Sequence, residues 1–301
     1  MFLFYILLAA SLCLAQDMQI NYKTEFSVDA KIIGPIKTTF DRIVSPGHAK
    51  VIMKIDAKKW LPSTFIDREN GTIMMTGEKN ILKYDVKEKE YWLVSAEDYF
   101  NKQDKRTKQG NSSSKDGQPT NERDNTDSFI SEIFFEIDDS FDENDEPIQR
   151  KIDRLSSEVL ENVNGFNAKK WTTQIEFTSS NSSKNKSFIF EEWVVDQLPL
   201  QDTFHSLMHN VREELNPYEN KVDELKFKFS SDDFVKSVDS NSTLKSLDGY
   251  VVKAKAILED HLFLNSMNFE ITELYTIPFE PSSFAIPEEF QRTQKEGENE
   301  I

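Results

Sequence analysis

His205 and His209 stand four residues apart in His205-Ser206-Leu207-Met208-His209. On a helix that spacing sets two imidazoles one turn apart on one face, where they can chelate zinc. A zincin-type site also needs a glutamate directly after its first histidine, and Ser206 occupies that position. The remaining histidines, His48 and His261, are far away in sequence, so the pair also reads as two surface histidines beside an apolar helix stripe. The acidic run Asp138, Asp139, Asp142, Glu143, Asp145 and Glu146 carries charge enough for calcium. It lacks the glycine and the alternate spacing of an EF-hand loop, and a solvated acidic loop is the commoner use of such a run. No Gly-x-Ser-x-Gly elbow occurs, and Cys13 is the only cysteine. Beyond Cys13 the chain therefore has no thiol nucleophile, disulfide or Cys-ligated metal. No pair among the 53 acidic residues is singled out by its context as an acid–base pair. The expectation is a non-enzyme with no metal and no cofactor. Five Asn-x-Ser/Thr sequons, at Asn70, Asn111, Asn181, Asn185 and Asn241, are glycan acceptors if the chain is secreted by a eukaryote.

The chain is instead rich in aromatic and flexible apolar residues, with 23 Phe and the tryptophans Trp60, Trp92, Trp171 and Trp193. Met53, Met74, Met75, Met208 and Met267 fall in expected strands or helix. Adaptable apolar surface of this kind suits greasy ligands, although an aromatic stripe on a strand is more often core.

The elements that position these residues are mostly strands. Ile20, Tyr22, Thr24, Phe26, Val28, Ala30 and Ile32 alternate with polar residues, as in a half-buried antiparallel strand. Gly34-Pro35 and Pro46-Gly47 then separate two more strand patterns. Short strands follow at tight spacing through residue 95, with Glu69-Asn70-Gly71, Gly77-Glu78-Lys79 and Lys87-Glu88-Lys89 as hairpin connections. Asn164-Gly165 tolerates positive φ in a tight turn. Trp171, Thr173, Ile175 and Phe177 make a one-sided stripe after it, and a second strand runs from Ser187 to Val195. Leu200, Thr203, Phe204, Leu207, Met208, Val211 and Leu215 recur at helical spacing over 200–216, with Asp202 or Thr203 as cap and Pro217 as stop. A weaker helical or loop segment spans 218–238, and a hairpin over 249–277 ends the pattern.

The sum is a mainly β (α+β) protein. It is a strongly curved antiparallel sheet or open half-barrel of about ten strands, with one or more helices covering the concave face. Residues 16–290 form a single domain, interrupted by a polar and acidic insertion at 101–147 expected to be disordered. Residues 291–301 are a charged tail.

The first fifteen residues, MFLFYILLAASLCLA, form an apolar run too short to span a bilayer, with small residues before Gln16. They read as a signal peptide cleaved near Ala15, which places the protein in the periplasm or outside the cell. Acylation at Cys13 is the alternative, disfavoured by the bulky Leu12 before it. A net charge of −17 repels nucleic acid and anionic membranes, so neither is an expected partner. No other run approaches membrane-spanning length, and a monomer is favoured.

Val163–Trp171 and Glu192–Pro199, with Ile66–Val86 and Glu273–Arg292, resemble poorly characterised secreted proteins with a lipoprotein-carrier-like (LolA/LppX-like) fold. The resemblance implies a bent half-barrel with helices lying in its concave side, and a lipid, an acyl chain or a lipidated protein as ligand. From their facing, Trp171, Phe190 and Trp193 on the sheet and Phe204, Leu207, Met208 and Val211 on the helix line the expected space. The other reading is a structural or interaction protein, its half-barrel filled by its own side chains, acting through loops such as 101–147.

Overall fold

The alternation at the start of the chain forms β1 (Met18–Ala30), whose even-numbered residues Ile20, Tyr22, Thr24, Phe26 and Val28 are all buried. The computed structural model describes residues 18–32, 34–57, 68–100, 149–178, 186–216, 230–239, 242–259 and 264–294. Residues 1–15, the segment 101–147 and the sequons at Asn111, Asn181, Asn185 and Asn241 lie outside them.

Five strands follow β1 in the first half: β2 (Gly34–Ser45), β3 (His48–Ala57), β4 (Arg68–Met75), β5 (Asn80–Asp85) and β6 (Glu90–Ser95). The second half holds β7 (Gln149–Val163), β8 (Phe166–Thr178), β9 (Lys186–Val195), β10 (Tyr250–Leu258), β11 (Leu264–Pro278) and the two-residue β12 (Gln291–Arg292). All twelve join one sheet in the order β12-β6-β5-β4-β3-β2-β1-β11-β10-β9-β8-β7. From β1 near the centre the strands walk out to β6, and then walk back from the opposite end, β7, until β11 pairs with β1. Every neighbour is antiparallel except β12, which runs parallel to β6. The sheet does not close, so its ends remain distinct: β12 beside β6 at one, β7 at the other.

Among the described residues, the helices α1 (Pro199–Leu215) and α2 (Ser231–Val238) lie against it. α1 packs over β1 to β4 and β11. Phe204 and Val211 are sealed in the main core, while Leu200, Leu207, Met208 and Leu215 pack against it. Each sealed side chain of that size contributes about 1.5–3 kcal/mol. On the opposite face a strap from Phe279 to Phe290 crosses β2 to β6, and Phe284 packs there with Ile73 and Tyr84. Gln19 secures the strap twice, its Nε2 donating to Ser283 Oγ at 3.2 Å and its Oε1 accepting from Glu280 N at 3.1 Å.

The sheet turns as the sequence indicates at Asn164 and Gly165, whose φ values of 50° and 91° close a two-residue β7–β8 hairpin. Two local expectations give way. Glu69, Asn70 and Gly71 are not a hairpin connection but the first half of β4, with Asn70 opposite Met53 and Gly71 opposite Ile52. The glycine serves the Tyr84 ring, which lies over it from β5 and leaves no room for a Cβ. Neither Asp202 nor Thr203 caps α1. The cap residue is Leu198, with Pro199 fixing the first helical φ, while Thr203 Oγ1 donates to Pro199 O at 2.9 Å. The tail beyond 290 begins with a paired segment, because Gln291 N and Thr293 N both donate to backbone carbonyls at 2.8 Å, those of Lys89 and Tyr91.

Candidate functional site

The site expected from sequence is divided between the two helices. α1 packs on β1 to β4 and β11, whereas β9 carries α2, through Phe234 tilted against Phe190 at 5.1 Å and Phe188 at 5.5 Å. Phe190, Phe204 and Val211 are 0–1% exposed in the main core. Leu207 and Met208 are half-buried against that core. Trp171 is half-buried opposite Glu192, with the Lys169 ammonium 4.9 Å from its ring centre. Trp193, three residues beyond Phe190, points to the other face by strand alternation. There its Nε1 donates to Glu161 Oε2 at 2.7 Å, between the ammoniums of Lys170 and Lys253. Six of the seven residues thus belong to or pack against the main core, Trp171 being the exception, and they do not share one lining.

α2 is held by a buried polar network. Glu192, fully buried on β9, accepts from Ser231 N at 3.0 Å and from Ser231 Oγ through a short bond. Arg154, on β7, donates through Nε to Thr173 Oγ1 at 2.8 Å and through its terminal nitrogens to Lys245 O at 2.7 Å and Ser231 Oγ at 2.8 Å. It also pairs with Asp232 at 2.7 Å, and Asp232 in turn accepts from Leu247 N at 2.8 Å. Burial pushes the Glu192 carboxyl above its ordinary value, and the Ser231 hydrogen bonds and the Arg154 charge pull the other way. A serine hydroxyl on a carboxylate is a nucleophile–base arrangement in form. Ser231 and Glu192 are both 0% exposed, however, so in this packing the network clamps α2 and the 242–248 segment.

Beside the clamp an open polar groove of about 430 Å³ is lined by Arg150, Ile152, Asp239, Ser242, Thr243, Leu244 and Lys245. The histidine pair lies apart from both features. His205 meets the edges of the Tyr22 and Phe204 rings, and His209 lies 3.8 Å from Glu213. Among the described residues no group of three or more His, Cys, Asp or Glu is placed to hold a metal. The described helices also include none long and apolar enough to cross a membrane.

Under the start of α1, Gln201 Nε2 donates to Tyr22 Oη at 3.1 Å, and Phe204 meets the Tyr22 ring edge-on at 5.0 Å. The Arg42 guanidinium lies 4.5 Å from the centre of that ring. Burial raises the Tyr22 hydroxyl above its usual range against the pull of Arg42, and lowers the guanidinium from its own. Sequence reading passed over both Arg42 and Arg154. The signal was available, because each is a cation in the inward register of a strand: Arg42 two residues from Phe40 and Val44, and Arg154 two from Ile152.

No protein-family model matches this chain, and no curated protein shows significant similarity to it.

Proposed function

We propose that this is a non-enzymatic, secreted or periplasmic binding protein, with α1 as a cover over the concave side of the sheet. Its ligand is a lipid, an acyl chain or a lipidated partner. The observation that supports this is an apolar strip beside α1. Ile36 and Phe40 of β2 and Met53 and Ile55 of β3 share the face that carries Tyr22 and Arg42, are only half-buried, and among the described residues belong to neither packed core. Burying an acyl chain there gains about 25 cal/mol per Å² without any polar anchor. On α1, Leu207 and Met208 are half-buried against the main core and are the residues assigned to the cover. The test compares native with denaturing mass spectra of the secreted protein purified without detergent. Lipid mass released on denaturation, and lost from the Leu207→Asp/Met208→Asp double variant in folded form, is the expected result. Unchanged lipid uptake by that variant counts against α1 as the cover.

The rival reading is a self-filled scaffold acting through its loops, supported by how completely Phe190, Phe204 and Val211 are sealed. Deleting 101–147 separates the two. Partner capture is lost under the scaffold reading, and lipid binding is retained under the first.

A further inference from the structure

Arg42 is a cation on an apolar face with an incomplete set of partners. Its guanidinium lies 4.5 Å from the Tyr22 ring centre and 5.6 Å from that of Phe40. One terminal nitrogen donates to Thr24 Oγ1 at 2.5 Å, but Nε is buried and has no hydrogen-bond partner. Asp41, the adjacent carboxylate, points to the opposite face by strand alternation. Among the described residues no carboxylate forms an ion pair with Arg42; the ion-paired arginine is Arg154, with Asp232. A guanidinium does not shed its proton, so the part of its burial cost that Tyr22, Phe40, Thr24 and the more distant Asp41 charge do not offset remains until an anion is supplied.

The surroundings fix what kind of anion. From Arg42 the same face continues along β2 and β3 through Phe40, Met53, Ile55 and Ile36, the half-buried strip described above. Six residues of strand, from 42 to 36, cover about 20 Å. Thr38 lies between Phe40 and Ile36 on this face, and Arg68, opposite Ile55 at the far end, is exposed. Arg42, with its buried Nε, is therefore the inner charge of the track and matches one negative charge at the end of an apolar chain. A carboxylate oxygen also supplies the acceptor that Nε lacks, in the charge-assisted geometry arginine favours.

We propose that Arg42 is the head-group residue of a fatty-acid site, binding the carboxylate of a long-chain acid whose tail lies along Phe40, Met53 and Ile55. This assignment rests on the lipid-binding reading and narrows it to single-chain carboxylates.

The test measures binding of palmitic acid, hexadecanol and a zwitterionic phosphatidylcholine to the full chain and to its Arg42→Met and Arg42→Lys variants. The intact protein should favour the acid over the alcohol by about tenfold or more, the worth of one charge-assisted hydrogen bond. Arg42→Met should bind both alike, with alcohol affinity unchanged, and Arg42→Lys should keep part of the preference. Arg42→Met removes a buried charge without a counter-ion, so its Tm should equal or exceed that of the parent, which keeps lost binding distinct from lost folding. If alcohol or phosphatidylcholine binds the intact protein as tightly as the acid, or if the preference survives in Arg42→Met, the carboxylate assignment is wrong and the lipid reading stands. If none of the three binds, both are wrong.

Discussion

Gly71 on β4 sits directly beneath the Tyr84 ring of β5, so that a Cβ at position 71 would fall inside the ring's own atoms. The ring cannot readily move aside, because Tyr84 is 3% exposed and its other contacts include Phe290 of the strap, 5.9 Å away. Gly71→Ala should therefore destabilise the protein by about 1–3 kcal/mol, the usual penalty of overpacking. Thermal melts of Gly71→Ala, Tyr84→Ala and the double variant check the cause. The double variant should be less destabilised than the sum of the two, since removing the ring removes the clash. Strict additivity would place the role of Gly71 elsewhere.

Arg154 connects four elements, bonding Thr173 on β8, Ser231 and Asp232 on α2, and the Lys245 carbonyl. Its replacement by alanine leaves Asp232 without its counter-ion and removes donors to Thr173, Ser231 and the Lys245 carbonyl, and should cost about 3–5 kcal/mol. The loss should also be local. Amide exchange is expected to quicken in α2 and around Leu247 while β1 to β4 keep their protection. Uniform loss of protection across the sheet would show that the network holds more than α2.

This local dependence explains why α2 was nearly invisible in sequence. Eight residues cannot carry a long apolar stripe, and Ser230, the cap accepting from Asp232 N, is one of many serines in the region. What holds α2 in place is Glu192, Arg154 and the Phe188 and Phe190 rings against Phe234, partners supplied from elsewhere in the chain. β1 and α1 were legible because each carries its own period, two in one and 3.6 in the other, over more than ten residues. Asn164-Gly165 and Asn70-Gly71 are the same dipeptide with opposite outcomes. Local chemistry suffices for the first, whereas the second is decided by Tyr84, thirteen residues further on. Arg42 and Arg154 obey the alternation so strictly that their charge, rather than their position, was the anomaly to notice.

The Glu192 carboxyl, raised by burial, ties stability to pH. Its folded pKa lies above the unfolded value of 4.5, so the folded state holds the proton more tightly. The stability this contributes is fully present below 4.5 and is lost as pH rises through the folded pKa. Glu192→Gln cannot titrate, so the variant should gain on the parent in Tm as pH rises from about 4.5 toward neutrality, with a constant difference above the folded pKa. The lost acceptor oxygen adds a pH-independent offset, which makes the slope the informative quantity. A parent-minus-variant difference that is flat over this window would mean that Ser231 and Arg154 compensate the burial fully.

The strap offers the opposite case, an element held by apolar contact more than by charge. Phe284 is 5% exposed, stacks on Phe279 at 5.8 Å, and meets His48 at 5.3 Å. Its backbone neighbours add few anchors: the Ser283 carbonyl accepts from Lys50 Nζ at 2.9 Å, and the Gln19 side chain holds Ser283 and Glu280. Phe284→Ala should cost about 3–5 kcal/mol if the whole face is stabilised through it. Because β12 pairs with β6 over only two residues, the strap should also come free before the sheet does. Limited proteolysis reads this directly. Cleavage within 285–294 should appear in Phe284→Ala under conditions where the parent is intact, with the remaining β strands still protected. Cleavage in the β2–β5 strands at the same protease concentration would instead show that the strap and the sheet unfold as one unit, with Phe284 part of the global core.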